Sequence, residues 1–417
     1  MLLIYQLGIF CYDFLIKIAS DFHQKAKKIY LGRKETFVIL ERNKLQYFEK
    51  QSIVWFHCAS LGEFEQARPV LEGFKQNHPN FKILLTFFSP SGYEVQKNYA
   101  YADIVVYLPS DNKENAERLL QIVQPKIVFF AKYEFWHFYL SEIKKQNIPC
   151  VLFSAIFREN QVFFRFYGGF YRKILENFSA IFVQNNHSKA LLTTILSENQ
   201  LKNVFVGGDT RFDRVKAICE NKKEIIIAEK FKNNQPLLII GSSWDEDLAV
   251  LVPFINNFVL PLKIIIAPHE INQQKIKELR QKINKKSTLF SENTSENTSE
   301  NDILIIDNVG MLSSLYAYAD FAFVGGGFKQ GLHNILEAAT FGLPIFFGNK
   351  KYRKYQEATD LITQKGAFAV ANTQDFEKQF LEIYQNKAAH EQAQKACLEY
   401  VNANLGATKL ILEKIKI

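Results

Sequence analysis

From residue 53 onward the chain repeats one pattern: a short apolar run without polar alternation, a stretch with helical spacing, then another apolar run. Strands buried on both faces read this way, and helices are what connect parallel neighbours. In the first half the runs are Ile53–His57, Lys82–Phe88, Ile104–Leu108, Ile127–Ala131, Cys150–Phe153 and Ile181–Gln184, with helical patterns such as Glu63–Gln76, Asn112–Val123 and Phe138–Gln146 between them. The second half continues with Leu237–Gly241, Lys263–Ala267, Ile303–Asp307, Phe321–Val324 and Pro344–Phe347. At 417 residues the chain exceeds one ordinary core, so the pattern predicts an α/β protein of two doubly wound, Rossmann-like domains. The expected divisions are 1–35, an apolar helix with a basic follower; 36–213, the first domain; 214–390, the second; and 391–417, a C-terminal helix that packs back on the first domain. Val204–Asp213, leading into the polar stretch 214–234, is the expected hinge. Ligands of open α/β sheets bind at the carboxyl ends of strands, which places the expected site in the crevice between two such domains.

Composition narrows the class further. The chain is 47% hydrophobic and 23% charged, as in a soluble globular protein, and its formal charge of +8 suits an acidic partner: nucleic acid, anionic lipid or a phosphorylated substrate. The five cysteines are dispersed without a C-x-x-C pair or metal-ligand spacing, which suits a reducing compartment. Met1 to Tyr12 is uncharged and largely apolar, but Asp13 and Lys17 interrupt the run before bilayer-spanning length, and no basic segment precedes it. Lys25, Lys27, Lys28, Arg33 and Lys34 follow. An anchor lying on an anionic membrane face and a helix docked on its own domain both fit. Residues 291–301 repeat Ser-Glu-Asn-Thr and read as a polar surface-loop expansion.

Residues 321–348 condense a βαβ unit into one stretch, with Gly325, Gly326 and Gly327 between a strand and a helix. Glycine lets backbone approach an anion, and a helix N-terminus faces the anion with free N–H groups and a positive dipole end. Asn334-x-x-Glu337 fits an N-cap with an acid three residues on, so capping accounts for Glu337 as well as a contact to ribose hydroxyls does. Four further strand ends and the expected hinge carry polar groups. After the first strand, Ser60-x-x-Glu63 is either a capping box or a carboxylate placed to deprotonate a hydroxyl. Glu134, beside Lys132 and two aromatics, is either a paired structural acid or a substrate contact. At the expected hinge, Arg211 offers a planar fork for phosphate or carboxylate, or else a surface pair with Asp213. Ser242 and Ser243 suit both an N-cap and an anion, and His269 follows the next strand.

Taken together, His57-x-x-Ser60-x-Gly62-Glu63, Glu134-x-Trp136, Gly208-Asp-Thr-Arg-Phe-Asp213, Ser242-Ser243, Pro268-His269 and His333-Asn334-x-Leu336-Glu337-Ala338-Ala339 form an ordered set over nearly the whole chain. This set resembles the 3-deoxy-D-manno-octulosonic acid (Kdo) transferases of lipopolysaccharide assembly. The resemblance implies a GT-B glycosyltransferase with an acceptor domain first and a donor domain second. It further implies CMP-Kdo as donor substrate, a lipid A precursor as acceptor, no metal, no cofactor and no nucleic acid, and a place on the cytoplasmic face of the inner membrane.

By matching position, Glu63 resembles the general base. Arg211, Ser242, Ser243, His269, Gly325, Gly326, Gly327, His333, Asn334 and Glu337 fall on the donor side, and Ser60, Gly62 and Glu134 on the acceptor side. The chain departs from the family at Ala267-Pro268-His269-Glu270, which lacks an Arg before the His. Arg211, Lys329 and Lys350 are candidates to replace it. The family's Glu-Thr-Glu-Leu-Trp-Pro-Asn reads Lys132-Tyr-Glu-Phe-Trp-His-Phe138 here, and Trp244 stands where a His is usual. Two other readings compete: a GT-B enzyme using a UDP-sugar, such as a lipid A disaccharide synthase or a sugar epimerase, and a non-catalytic membrane-associated binding protein with a degenerate transferase fold.

Overall fold

The computed structural model describes residues 1–44, 51–293 and 298–415. Residues 294–297 of the Ser-Glu-Asn-Thr repeat lie outside the described residues. The chain divides into two compact units, Met1–Arg214 with Leu405–Ile417, and Val215–Asn404.

The first unit is built on seven parallel strands, β1 (Ile53–Cys58), β2 (Lys82–Phe87), β3 (Ile104–Tyr107), β4 (Ile127–Ala131), β5 (Cys150–Ala155), β6 (Ala180–Val183) and β7 (Val204–Val206). Their order in the sheet is β3-β2-β1-β4-β5-β6-β7. The second unit has β8 (Leu237–Ser243), β9 (Lys263–Pro268), β10 (Ser287–Leu289), β11 (Ile303–Ile305), β12 (Phe321–Val324), β13 (Ile345–Gly348) and β14 (Ala367–Val370), ordered β10-β11-β9-β8-β12-β13-β14. Every residue of β1, β4, β5, β12 and β13 is buried, as expected of central strands covered by helices on both faces. Alternate side chains feed two separate cores in the first unit: Trp55, Phe130 and Leu152 on one face, and Phe56, Phe129 and Phe153 on the other.

Three strands differ from the sequence reading, which contains no β7, β10 or β14. Each is three or four residues long and sits at a sheet edge, with at least half of its residues only partly buried. β7 and β14 are wholly apolar, Val-Phe-Val and Ala-Phe-Ala-Val, but a run of three or four residues is too short to mark a strand by its pattern. β7 also takes the start of the expected hinge. The helix Arg211–Glu220 then carries the chain across the boundary between the units.

Two helices precede the first sheet, α1 (Leu2–Ala19) and α2 (Gln24–Asn43). α1 is unbroken, and by length and a mean hydropathy of 1.6 it is long and apolar enough to cross a membrane. One side of it is nevertheless tied to its own unit. The Tyr5 hydroxyl donates to Asp111, a carboxylate only 2% exposed that also accepts from the Phe138 and Tyr139 amides. Asp13 accepts from Arg33 at 3.2 Å and from Ser110 at 2.6 Å. The other side leaves Leu3, Ile4, Leu7, Phe10, Phe14, Leu15 and Ile18 bare. Docking and an open apolar face are thus properties of one helix.

The C-terminal segment holds two helices over residues 387–414 where the sequence suggests one continuous element. Lys387–Ala403 belongs to the second unit, and only the helix Ala407–Lys414 returns to the first. There Ile411 is fully buried in the core that packs against α3 (Leu61–Asn77). Asp213 holds the start of this helix, accepting from the amides of Gly406 at 2.7 Å and Thr408 at 2.6 Å. It is therefore a helix cap, where the sequence offered it as a surface partner of Arg211. Replacing it, Asp213→Ala, should cost about 1–2 kcal/mol and speed amide hydrogen exchange over residues 407–414 ahead of the rest of the unit.

Candidate active site

In each sheet the strand order reverses beside its first strand, between β1 and β4 and between β8 and β12; in the second sheet β10 and β11 also exchange places at the far edge. Loops leaving adjacent strands at such a point diverge to opposite faces and open a crevice at the carboxyl ends. The candidate residues of the sequence reading gather at these two reversals, so each unit holds one cluster.

In the first unit β1 ends at Cys58 and α3 opens at Leu61, with Ser60 as its N-cap. The Ser60 hydroxyl accepts from the Gly62 amide at 3.2 Å and donates to the Glu63 carboxylate. In a reciprocal capping box Glu63 would take the Ser60 backbone N–H. Here it engages the hydroxyl, and its side chain stays partly exposed in the first turn of α3. Around Gly62 there is room for a side chain, the nearest atom to an added Cβ being the Ser60 hydroxyl at 3.7 Å. Nothing in the packing of the fold requires glycine at that place.

Glu134, after β4, is only 6% exposed. One of its oxygens meets His57 Nε2 at 3.0 Å and accepts from the Trp136 indole at 2.6 Å. His57 is completely buried, with Nδ1 2.8 Å from the Thr86 hydroxyl, which in turn accepts from the Trp55 indole at 2.8 Å. The donors and acceptors close consistently if Thr86 donates to Nδ1 and the Nε2 proton goes to Glu134. The structure therefore supplies Glu134 with a structural partner in the buried His57, two strands' worth of chain away. Lys132, its sequence neighbour, had been the expected partner.

Arg211 belongs to this unit as well. Its guanidinium grips Asp209, Nε at 2.9 Å and Nη2 at 2.8 Å, and its amide bonds the same carboxylate. Burial alone would raise the Asp209 carboxyl, but the Arg211 charge and hydrogen bonds hold it below the usual range. Gln66 of α3 also donates to Asp209, and the Thr210 hydroxyl donates to the Gln66 carbonyl. The planar fork read from the sequence is present, and a carboxylate of the protein occupies it.

In the second unit β8 carries a bulge at Ser242, whose φ of +52° is in the left-handed region and whose neighbours shift register against β9. The bulge turns its carbonyl toward Gly325, where an added Cβ would lie 2.3 Å from that oxygen. Gly326, at φ +89°, would meet the Gly331 carbonyl at 2.3 Å, and Gly327 the Gly348 carbonyl at 2.4 Å. The triple glycine is thus explained by close backbone packing within the protein. An anion does rest on the turn: Asp247, fully buried in the helix Asp245–Asn257, accepts from the Gly326 amide at 2.8 Å and the Trp244 amide at 2.9 Å. Burial raises its pKa to about 6 against these hydrogen bonds. The Ser243 hydroxyl and the second Asp247 oxygen are buried without a hydrogen-bond partner among the described residues.

The helix expected straight after the glycines begins only at Leu336 and is five residues long. A dipole that short contributes little, which removes the helix-terminus part of the expected phosphate cradle. Asn334 accepts from the Leu336 amide and donates to Glu337 at 3.3 Å, but the N-cap position belongs to Ile335, which makes no side-chain cap bond, so the expected Asn334 cap with Glu337 three residues on is not formed. His333 lies against His269 and Trp244. Lys329 pairs with Glu246 at 2.7 Å, an ion pair that with Gln330 lowers Glu246 to about 2. Asp247 and Thr86 escaped the sequence reading altogether. Asp247 left a faint signal as the third acid of Asp245-Glu246-Asp247 at a helix start; Thr86 left none.

Two parallel, doubly wound units with their polar clusters at the strand-order reversals define a GT-B type fold. Solved structures agree on the architecture: UDP-GlcNAc 2-epimerase from Neisseria meningitidis, bound to UDP-GlcNAc, superposes with a TM-score of 0.60 over 87% of this chain and 98% of that one, at 15% identity. Residues 32–214 match the family model of 3-deoxy-D-manno-octulosonic-acid transferase (kdotransferase). A 3-deoxy-D-manno-octulosonic acid transferase of Aquifex aeolicus is 28% identical over 360 residues, 83% of this chain and 91% of the relative. One of Haemophilus influenzae is 25% identical over 386 residues, covering 87% and 86%. Over most of its length the chain is thus similar to Kdo transferases, and over residues 32–214 to their family model.

Two outcomes test this geometry. Gly327→Ala should destabilise the second unit by about 1–3 kcal/mol or more, because backbone rather than a movable side chain opposes the new methyl group; chemical denaturation reads the loss. Burial, reinforced by His269, pushes the His333 pKa down from 6.5 to about 4. Between these values the unfolded chain binds more protons, so this group makes stability rise with pH, and its contribution is lost as pH falls from 6.5 toward 4. Urea melts across that range should show the wild type gaining on His333→Asn as pH increases.

Proposed function

We propose that the chain transfers Kdo from CMP-Kdo to a lipid A precursor, inverting the anomeric carbon, with Glu63 as general base. The observation that carries this reading is the Glu63 carboxylate, partly exposed at the strand-order reversal and bonded to the Ser60 hydroxyl outside a reciprocal capping box. The open space at Gly62 supports it, since a glycine that packing does not require suits a substrate passing close to backbone. In this mechanism Glu63 takes the proton of the acceptor hydroxyl as that oxygen bonds to the anomeric carbon of Kdo. The bond from that carbon to the phosphate oxygen breaks, and CMP departs with the electron pair.

Donor recognition is assigned to the second unit, with His269, His333, Asn334, Glu337, Ser242 and Ser243 around the glycine turn. Arg211, engaged with Asp209, and Glu134, engaged with His57, take supporting places behind the acceptor side, with Ser60 and Gly62 nearest the base. The bare apolar face of α1, followed by exposed Lys25, Lys27 and Lys34, supports a monotopic position on the anionic cytoplasmic face of the inner membrane.

Incubation with CMP-Kdo and the lipid A precursor should release CMP and add Kdo mass to the acceptor. Glu63→Gln should lower turnover by about 10²–10⁴-fold with the melting temperature preserved. A variant that melts earlier yet turns over normally returns Glu63 to a purely structural role. In the same preparation CMP should raise the melting temperature and UDP should not; the reverse pattern points to a UDP-sugar enzyme.

A further inference from the structure

Trp244, His269 and His333 form a compact aromatic group in the second unit. The Trp244 and His333 rings are nearly coplanar, 8° apart with centroids separated by 6.3 Å. Their edges are joined by a hydrogen bond from the indole Nε1–H to His333 Nε2 at 2.9 Å. The His269 ring stacks on both, 4.3 Å from Trp244 and 4.4 Å from His333. An indole nitrogen can only donate, and an imidazole nitrogen that accepts carries no proton. The ring proton of neutral His333 is therefore on Nδ1, which has no hydrogen-bond partner among the described residues. The low pKa of His333 keeps the ring uncharged at neutral pH.

We propose that Trp244 is a positioning residue that locks His333 in the Nδ1–H tautomer, so that the site offers one fixed, uncharged hydrogen-bond donor to an acceptor oxygen of the nucleotide-sugar. Without a donor aimed at Nε2 the ring is free to carry its proton on either nitrogen, and each molecule holding it on Nε2 presents a lone pair where the ligand needs a proton. A neutral donor also discriminates by geometry, since its hydrogen bond needs a well-placed acceptor, whereas a cation attracts any nearby anion. The ligand half of this proposal rests on the donor reading above; the tautomer half does not.

Nuclear magnetic resonance of the free, full-length protein with ¹⁵N-labelled histidine reads the tautomer directly, with His333 signals assigned by their loss in His333→Asn. The expected result at pH 7 is a protonated Nδ1 and an unprotonated Nε2. Trp244→Phe keeps an aromatic face against His269 and removes only the donor. It should give a mixture of tautomers and raise KM for CMP-Kdo by about 2–10-fold, the loss of one neutral hydrogen bond, with kcat changed less. A proton on Nε2 in the wild type, or an unaltered tautomer in Trp244→Phe, overturns the lock, and the wild-type spectrum decides the first point without any variant. If the tautomer is as stated but CMP does not bind the wild type, the donor reading fails and takes the ligand half with it.

Discussion

A parallel strand covered by helices on both faces has almost no place for a polar side chain except where it ends. The central strands β1, β4, β12 and β13 are buried along their whole length, and the chemistry of each unit collects just past their carboxyl ends. Strand order then selects among those ends. At the reversals between β1 and β4 and between β8 and β12 neighbouring loops part, and Glu63, Glu134 and Asp247 stand there.

In β1 and β2 a complete hydrogen-bond chain accompanies the polar groups that enter the strands. His57 and Thr86 lie inside β1 and β2, each fully buried, and the run from the Trp55 indole through Thr86 and His57 to Glu134 leaves no ring nitrogen unpartnered. A half-satisfied chain at that depth would cost more than an apolar core. Asp247 is only half satisfied: one oxygen accepts from the Gly326 and Trp244 amides, the other is buried without a partner among the described residues, and the burial appears as a raised pKa. Glu63 differs from both, because it is partly exposed and its partner is a hydroxyl at the rim.

The legible part of the sequence was whatever periodicity and position encode. Eleven apolar runs mark eleven of the fourteen strands, and the β7, β10 and β14 edges are missed because three or four residues are too few to stand out as a run. Positions along the chain also mark which polar residues follow a strand, and so Ser60, Glu63, Glu134, Ser242, His269, His333 and Glu337 could be named as candidates. Their partners could not. Arg211 has Asp213 and Asp209 at equal sequence distance, and only the path of the backbone sends one carboxylate to the guanidinium and the other to the helix at Ala407.

The sequence by itself determined a doubly wound α/β chain in two parts, the strand ends that bear chemistry and, through its ordered motifs, its resemblance to Kdo transferases. Tertiary structure decided what each of those residues touches. It placed Asp247 on the glycine turn, a protein backbone against each of the three glycines, His57 behind Glu134 and the Trp244 indole on His333. The division has a physical reason. Burial of strands and helices follows from local periodicity, whereas a hydrogen bond needs two groups within about 3 Å, and residues 79 or 89 positions apart, as Gly326 and Asp247 or His333 and Trp244 are, meet only once the chain is folded.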